Sequence, residues 1–180
     1  PEGLELPMLA TAPQPVPTPV TVTAGPAGEP SALEVRLLWR TGSCGSGKAE
    51  FQLPRGVAVD AAGNTYVADA ANHRVVKLSP EGKPLLTWGK EGKGDGLFSE
   101  PFDLVVDSQG NIVVLDTEAG LLQRFTSQGK FLATFGKELS LYHPRGLGID
   151  TEDNLYVVDT GGARVLKLSS KGARLAQFGG

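Results

Sequence analysis

From Phe51 to Gly89 the chain alternates short apolar runs with clusters of turn-forming residues. GVAVD, TYVAD, RVVKL and PLLTW are separated by Gly63-Asn64, by Asn72-His73 and by Gly82. Runs of about five residues rich in Val, Leu, Tyr and Trp, each bounded by Gly, Asn or Pro, predict four strands joined by tight turns. In the first run Val57 and Val59 point one way and the small Ala58 the other. A strand with apolar or small residues on both sides fits a sheet covered on both faces.

The unit returns twice. Aligning Pro54 with Pro101 and Pro144 places Asp60 on Asp107 and Asp150, Asp69 on Asp116 and Asp159, Gly82 on Gly129 and Gly172, and Trp88 on Phe135 and Phe178. The repeats cover roughly 51–89, 98–136 and 141–179, with offsets of 47 and then 43 residues, the size of one propeller blade. First strands are expected at Gly56 to Asp60, Asp103 to Asp107 and Gly146 to Asp150, with Leu104 and Val106, or Leu147 and Ile149, matching Val57 and Val59. Second strands follow at Thr65 to Asp69, Ile112 to Asp116 and Leu155 to Asp159. Third strands follow at Arg74 to Leu78, Leu121 to Phe125 and Arg164 to Leu168, and fourth strands end on Trp88, Phe135 and Phe178. A further run, Leu33 to Trp39, ends on a tryptophan in the place of Trp88 and reads as the last strand of a preceding blade. Thirteen strands and no helix result.

Composition separates a first segment from this body. Eight of 13 prolines and none of the 17 Lys and Arg lie in the first 30 residues. PQPVPTPV, with proline at every second position, favours an extended polyproline II spacer. Residues 1–32 therefore read as a proline-rich, unstructured stalk or linker and 33–180 as the propeller segment. Bacterial surface proteins often carry a domain on such a stalk; a proline-rich ligand motif or a cytoplasmic linker fits the same composition. The formal charge of −3 lies in that first segment, leaving a neutral body without the basic footprint of a nucleic-acid or anionic-membrane surface. Cys44, the one cysteine, reads as an ordinary loop thiol.

Gly42 to Lys48, GSCGSGK, matches the phosphate-loop pattern GxxxxGK. Ala49 stands where Ser or Thr would reach a magnesium ion, and a strand rather than a helix follows, so the segment reads as a loop between blades.

PRGVAVDAAGNTYVADAANHRVVKL, residues 54–78, resembles the consensus of the NHL-repeat β-propellers almost letter for letter, including Asn72, His73 and Arg74. The third repeat keeps Pro144, Gly146, Asp150, Tyr156, Asp159 and Arg164. The second departs most, with Asp103 for glycine and Ala119, Gly120 and Leu121 for Asn-His-Arg. The resemblance implies an all-β propeller of four-stranded antiparallel blades, usually six to a ring, of which this chain holds three and one extra outer strand. Further blades of the same polypeptide are the expected completion, ahead of a homodimer.

The functional expectation is a non-enzymatic binding module on an extracytoplasmic stalk at a bacterial cell surface, its ligand a protein, peptide or glycan. A lyase- or hydrolase-type propeller with its site at the channel mouth is the alternative, and RNA binding the second. In this family's strand order, loops before the first strand and between the second and third share one face. Ligand candidates there are Arg55, Phe102 and Arg145 beside the channel mouth, with Asp103, His73, Asp116 and Leu121. Asp69 with Arg74 and Asp159 with Arg164 are expected to be structural ion pairs. Asp116, facing Leu121, lacks that arginine and is expected either to be solvated or to stand exposed for a ligand or cation. Related amidating lyases use histidine-bound zinc. This chain supplies only His73 and His143, so no metal, cofactor or catalytic set is expected.

Overall fold

The computed structural model describes residues 37–180. The proline-rich segment 1–32 and residues 33–36 of the expected outer strand lie outside the described residues. The remainder of that strand, Leu37 to Trp39, joins no sheet, because a strand needs a laddered neighbour and the blade it would complete is not among the described residues.

The unit from Thr41 to Gly180 contains two short strands, β1 (Ser43–Cys44) and β2 (Glu50–Phe51), and then three four-stranded sheets. The first blade is β3 (Pro54–Val59), β4 (Thr65–Asp69), β5 (Arg74–Leu78) and β6 (Pro84–Trp88). The second is β7 (Pro101–Val106), β8 (Ile112–Asp116), β9 (Leu121–Phe125) and β10 (Phe131–Phe135). The third is β11 (Pro144–Ile149), β12 (Leu155–Asp159), β13 (Arg164–Leu168) and β14 (Arg174–Gly179). Each is an antiparallel meander with strands in sequence order, and β3, β7 and β11 lie side by side. The single-turn 3-10 helices Ala70–Asn72 and Lys137–Leu139 interrupt the loops.

Second and third strands occupy the spans expected from the pattern. First strands start two residues early, because Pro54, Pro101 and Pro144 pair with Asp69, Asp116 and Asp159 across a bulge. They also stop before Asp60, Asp107 and Asp150, whose carboxylates cap the next turn. Asp60 Oδ1 accepts the Ala62 and Asn64 amides at 2.9 Å, while Oδ2 accepts Asn64 Nδ2 and the Tyr66 hydroxyl. The turn residues Gly63, Gly110 and Asp153 have φ of +82°, +76° and +62°.

Two apolar layers fill the gaps between blades. Tyr66, Ala68 and Val75 of the first blade meet Leu104, Ile112, Val114 and Phe125 of the second, with Phe98 between them. Val105, Val113, Leu115 and Leu122 of the second meet Leu155, Val157, Leu166 and Leu168 of the third. Val105 thus packs toward the third blade while its neighbours Leu104 and Val106 face the first, as strand alternation requires. Val57 and Val59, the first-blade counterparts of Leu104 and Val106, are exposed. Backbone hydrogen bonds between blades are replaced by side-chain ties: Lys77 Nζ donates to Ser127 O, Arg124 Nη2 to Ser170 O, and Asp153 accepts from the amide and hydroxyl of Ser108.

Candidate ligand cleft in the second blade

Each first strand is preceded by a loop that must be held against its blade. In the first blade Arg74 does this. Its Nε donates to Asp69 Oδ2 at 2.7 Å, Nη1 to Ser46 O at 2.8 Å, and Nη2 to Gly47 O and Glu50 O at 2.9 and 2.7 Å. Asp69 is fully buried, and its other oxygen accepts the Gln52 amide at 2.7 Å. The third blade repeats the device: Arg164 Nε donates to Asp159 Oδ2 at 2.8 Å and Nη2 to Leu139 O at 2.8 Å. A planar guanidinium serves one carboxylate and several carbonyls at once, which lysine's point charge does not.

The second blade has Asp116 but no arginine at the position of Arg74 and Arg164. Position 121 is leucine, and a cleft of about 350 Å³ opens beside it. Lys93, Asp95, Leu97, Asp116, Glu118, Leu121 and Lys137 are among its walls. Asp116 is neither solvated nor exposed as the sequence led us to expect: it is 1% accessible and accepts the amides of Ser99, Glu100 and Ala119 at 2.7, 2.9 and 3.1 Å. A carboxylate enclosed this deeply has to be hydrogen-bonded, and with no arginine present the neighbouring amides take that place. The loop is secured from a different direction. Gln123 Oε1 accepts the Gly96 amide at 2.8 Å and its Nε2 donates to Leu97 O at 2.6 Å. Gln123 is itself buried, in the position that the other repeats give to Val76 and Leu166.

The remaining sequence candidates lie elsewhere. The Arg55 guanidinium stacks over Phe102, 5.2 Å from the ring centroid. Asp103 is half-buried and ties blades together: Oδ2 accepts the Leu147 amide at 2.8 Å and Oδ1 its neighbour Leu104's amide at 2.9 Å. Burial pushes the Asp103 carboxyl upward against the lowering effect of those two bonds. Gly56 passes so close that a Cβ there would come within 2.6 Å of Asp103 Cα. His73 has φ +52°, and its Nδ1 lies 2.7 Å from Ser99 O. Arg145 is exposed. None of Arg55, Phe102, Asp103, His73 and Arg145 lines the cleft. His143, also at positive φ, has Nδ1 3.9 Å from Glu118 Oε1. Among the described residues no three His, Cys, Asp or Glu are grouped to hold a metal ion.

The cleft residues Asp95, Glu118, Lys137 and Gln123 were not identified from the sequence. Gln123 was the available signal, being a polar residue in a strand position that is apolar in both sister repeats.

In the phosphate-loop-like segment the carbonyls of Ser46 and Gly47 point at Arg74, and β1 pairs with β2 in parallel. Its polar groups serve the blade.

Comparison with known families turns on the first repeat, whose sequence from 51 to 78 matches the NHL repeat family model. Residues 51–78 are an NHL repeat. Peptidyl-glycine alpha-amidating monooxygenase of Mus musculus is 49% identical over 47 residues, a quarter of this chain. The enzyme from Rattus norvegicus gives the same identity over the same length. The chain spans only 5% of the length of these relatives. Among solved structures, a streptogramin B lyase superposes on 70% of this chain and 40% of its own, with a TM-score of 0.58 at 17% identity. The nidogen/laminin complex superposes on 69% of this chain and 48% of its own, with a TM-score of 0.59 at 21% identity. At these identities the likeness concerns the fold, and the NHL repeat and its two sisters are β-propeller blades.

Proposed function

We propose that this NHL-repeat segment is a non-enzymatic binding module whose ligand enters the second-blade cleft. The observation that carries the reading is the absence of arginine at position 121. The repeat's own plug is missing from one blade of three, and the space it would occupy is open and lined by both charges and leucines. A concave site with an apolar wall and a few convergent polar groups is the usual form of a recognition pocket. The lyase and monooxygenase names among the similar proteins belong to relatives that share one short stretch or the fold alone, and an enzymatic role is not carried over from them. Further blades of the same polypeptide complete the ring, and the proline-rich segment 1–32 acts as a stalk outside the cytoplasm of a bacterium.

The test is selection of peptides from a random display library on the immobilised 180-residue chain, followed by affinity measurement on the wild type and on Leu121→Arg. Binders that lose about tenfold or more in affinity to the variant place recognition in the cleft, since the added side chain fills it at the cost of at least one good contact. Binders indifferent to the substitution would overturn the reading.

A further inference from the structure

The first and second blades carry the same incoming loop with a different occupant. In the first, the Gly45 amide donates to Phe51 O at 3.2 Å and the Glu50 amide to Gly47 O at 3.3 Å. In the second, 47 residues on, the Gly92 amide donates to Phe98 O at 3.1 Å and the Leu97 amide to Gly94 O at 3.2 Å. The loops share a parallel bridge at the same point, Cys44 with Phe51 and Glu91 with Phe98, to which the first adds Ser43 with Glu50. The two loops are therefore closed by the same pair of hydrogen bonds, and Lys93 and Gly94 are the sequence counterparts of Ser46 and Gly47, whose carbonyls receive the Arg74 guanidinium. The counterpart of Glu50 O, Leu97 O, is taken by Gln123 Nε2. The carboxylate at the back of the site is retained as well, because Asp116 occupies the position of Asp69. What is missing is the cation.

We infer that the second-blade cleft is a receptor for the guanidinium of an arginine side chain supplied by a bound peptide. This rests on the binding reading above and names its ligand chemistry. Two sister blades show what the frame accepts: an Nε–H directed at the buried aspartate and Nη groups directed at loop carbonyls. In the second blade that aspartate is buried with three amide donors and no ion pair among the described residues. Its remaining lone pair and its charge are left for a guest. The stem of an incoming arginine has Leu97 and Leu121 to lie against, as long cationic side chains do on apolar surface. Glu118 and Asp95 add negative charge at the walls, while Lys93 and Lys137, also lining, form no ion pair among the described residues. A lysine could not span the site in the same way. Its ammonium is one compact centre, whereas the sister-blade guanidiniums each serve a carboxylate and more than one carbonyl at once.

The test uses the full chain labelled with nitrogen-15 and titrated with N-acetyl-arginine amide, with the capped lysine and capped citrulline analogues, and with free arginine. Saturable shifts are expected at the amides of Gly94, Glu100 and Ala119 with capped arginine. Affinity for the lysine and citrulline analogues is expected to be weaker by about tenfold, equivalent to one charge-assisted hydrogen bond. Leu121→Arg, whose own spectrum certifies its fold, is expected to abolish the response, while Leu121→Met retains it. No saturable shift, an equal response to capped lysine, or an unchanged response in Leu121→Arg would each overturn the inference. Binding of free arginine with the capped form silent would overturn the peptide assignment. Selected peptides that depend on Leu121 yet contain no arginine would leave the binding reading standing and overturn this one.

Discussion

Trp88, at the end of the first blade, lies directly on Gly129 in the last turn of the second. A Cβ at position 129 would sit 2.9 Å from Trp88 Cδ2, and the glycine holds φ at +75°. Phe135 and Gly172 repeat the relationship one blade on, with the corresponding distance 2.7 Å. Aromatic knob and glycine seat are thus one interlocking unit of the repeat, explaining why both positions recur at the blade spacing. Gly129→Ala is expected to destabilise by about 1–3 kcal/mol, from the close contact and the left-handed backbone together. Thermal unfolding against wild type measures it, and Gly110→Ala, where nothing lies within 4 Å of the new Cβ, isolates the backbone share.

Phe178 is the third knob, and at 58% accessibility it has no seat among the described residues. With Val158, beside Phe178, also exposed on this last blade, the face is open to association. On the proposal that further blades of the same polypeptide cover it, the 180-residue chain should associate broadly with rising concentration, and Phe178→Ser should reduce this. Light scattering coupled to size exclusion reads the outcome; a monodisperse dimer would instead assign the face to a second copy.

Arg74→Leu removes the first blade's plug, leaving the buried Asp69 without its cation and the carbonyls of Ser46, Gly47 and Glu50 without the guanidinium. The expected loss is about 3 kcal/mol, the range for breaking a buried pair from one side, measured by denaturant unfolding. Leu121→Arg runs in the opposite direction. It should raise stability by about 1 kcal/mol by giving Asp116 and the loop carbonyls their repeat partner.

Asp103 gives a pH dependence of definite sign. Burial raises its folded carboxyl above the ordinary 3.8, so the folded state holds the proton more tightly than the unfolded chain. Its favourable contribution is fully present below the ordinary value and is lost as pH rises through the raised folded value. Asp103→Asn removes that titration. The difference in unfolding free energy between wild type and variant, followed across acid pH, should shift in the variant's favour as pH rises through this window and be flat on either side. A difference moving the other way would mean that the Leu147 and Leu104 amides dominate over burial.

The blades themselves were legible in the chain. Period-two apolar runs, turn glycines at Gly82, Gly129 and Gly172, and the Asp69–Arg74 and Asp159–Arg164 spacing each encode a local relationship within one repeat, and local relationships survive in sequence order. Asp60, Asp107 and Asp150 were legible as repeat positions but misassigned to strands, because a carboxylate that accepts the next turn's amides ends the ladder. Position 121 was legible as a departure from the repeat, while its consequence was not.

The sequence by itself determined the three blades among the described residues, where their strands fall and which repeat lacks the arginine, because these depend on neighbours within a few dozen residues. Tertiary structure alone decided that Asp116 is enclosed rather than solvated, that Gln123 anchors the incoming loop, and that the lost arginine leaves an open cleft. Those outcomes depend on how a glycine-rich loop closes over the strand pair behind it. Leucine at 121 supplies neither the volume nor the donors to close that space.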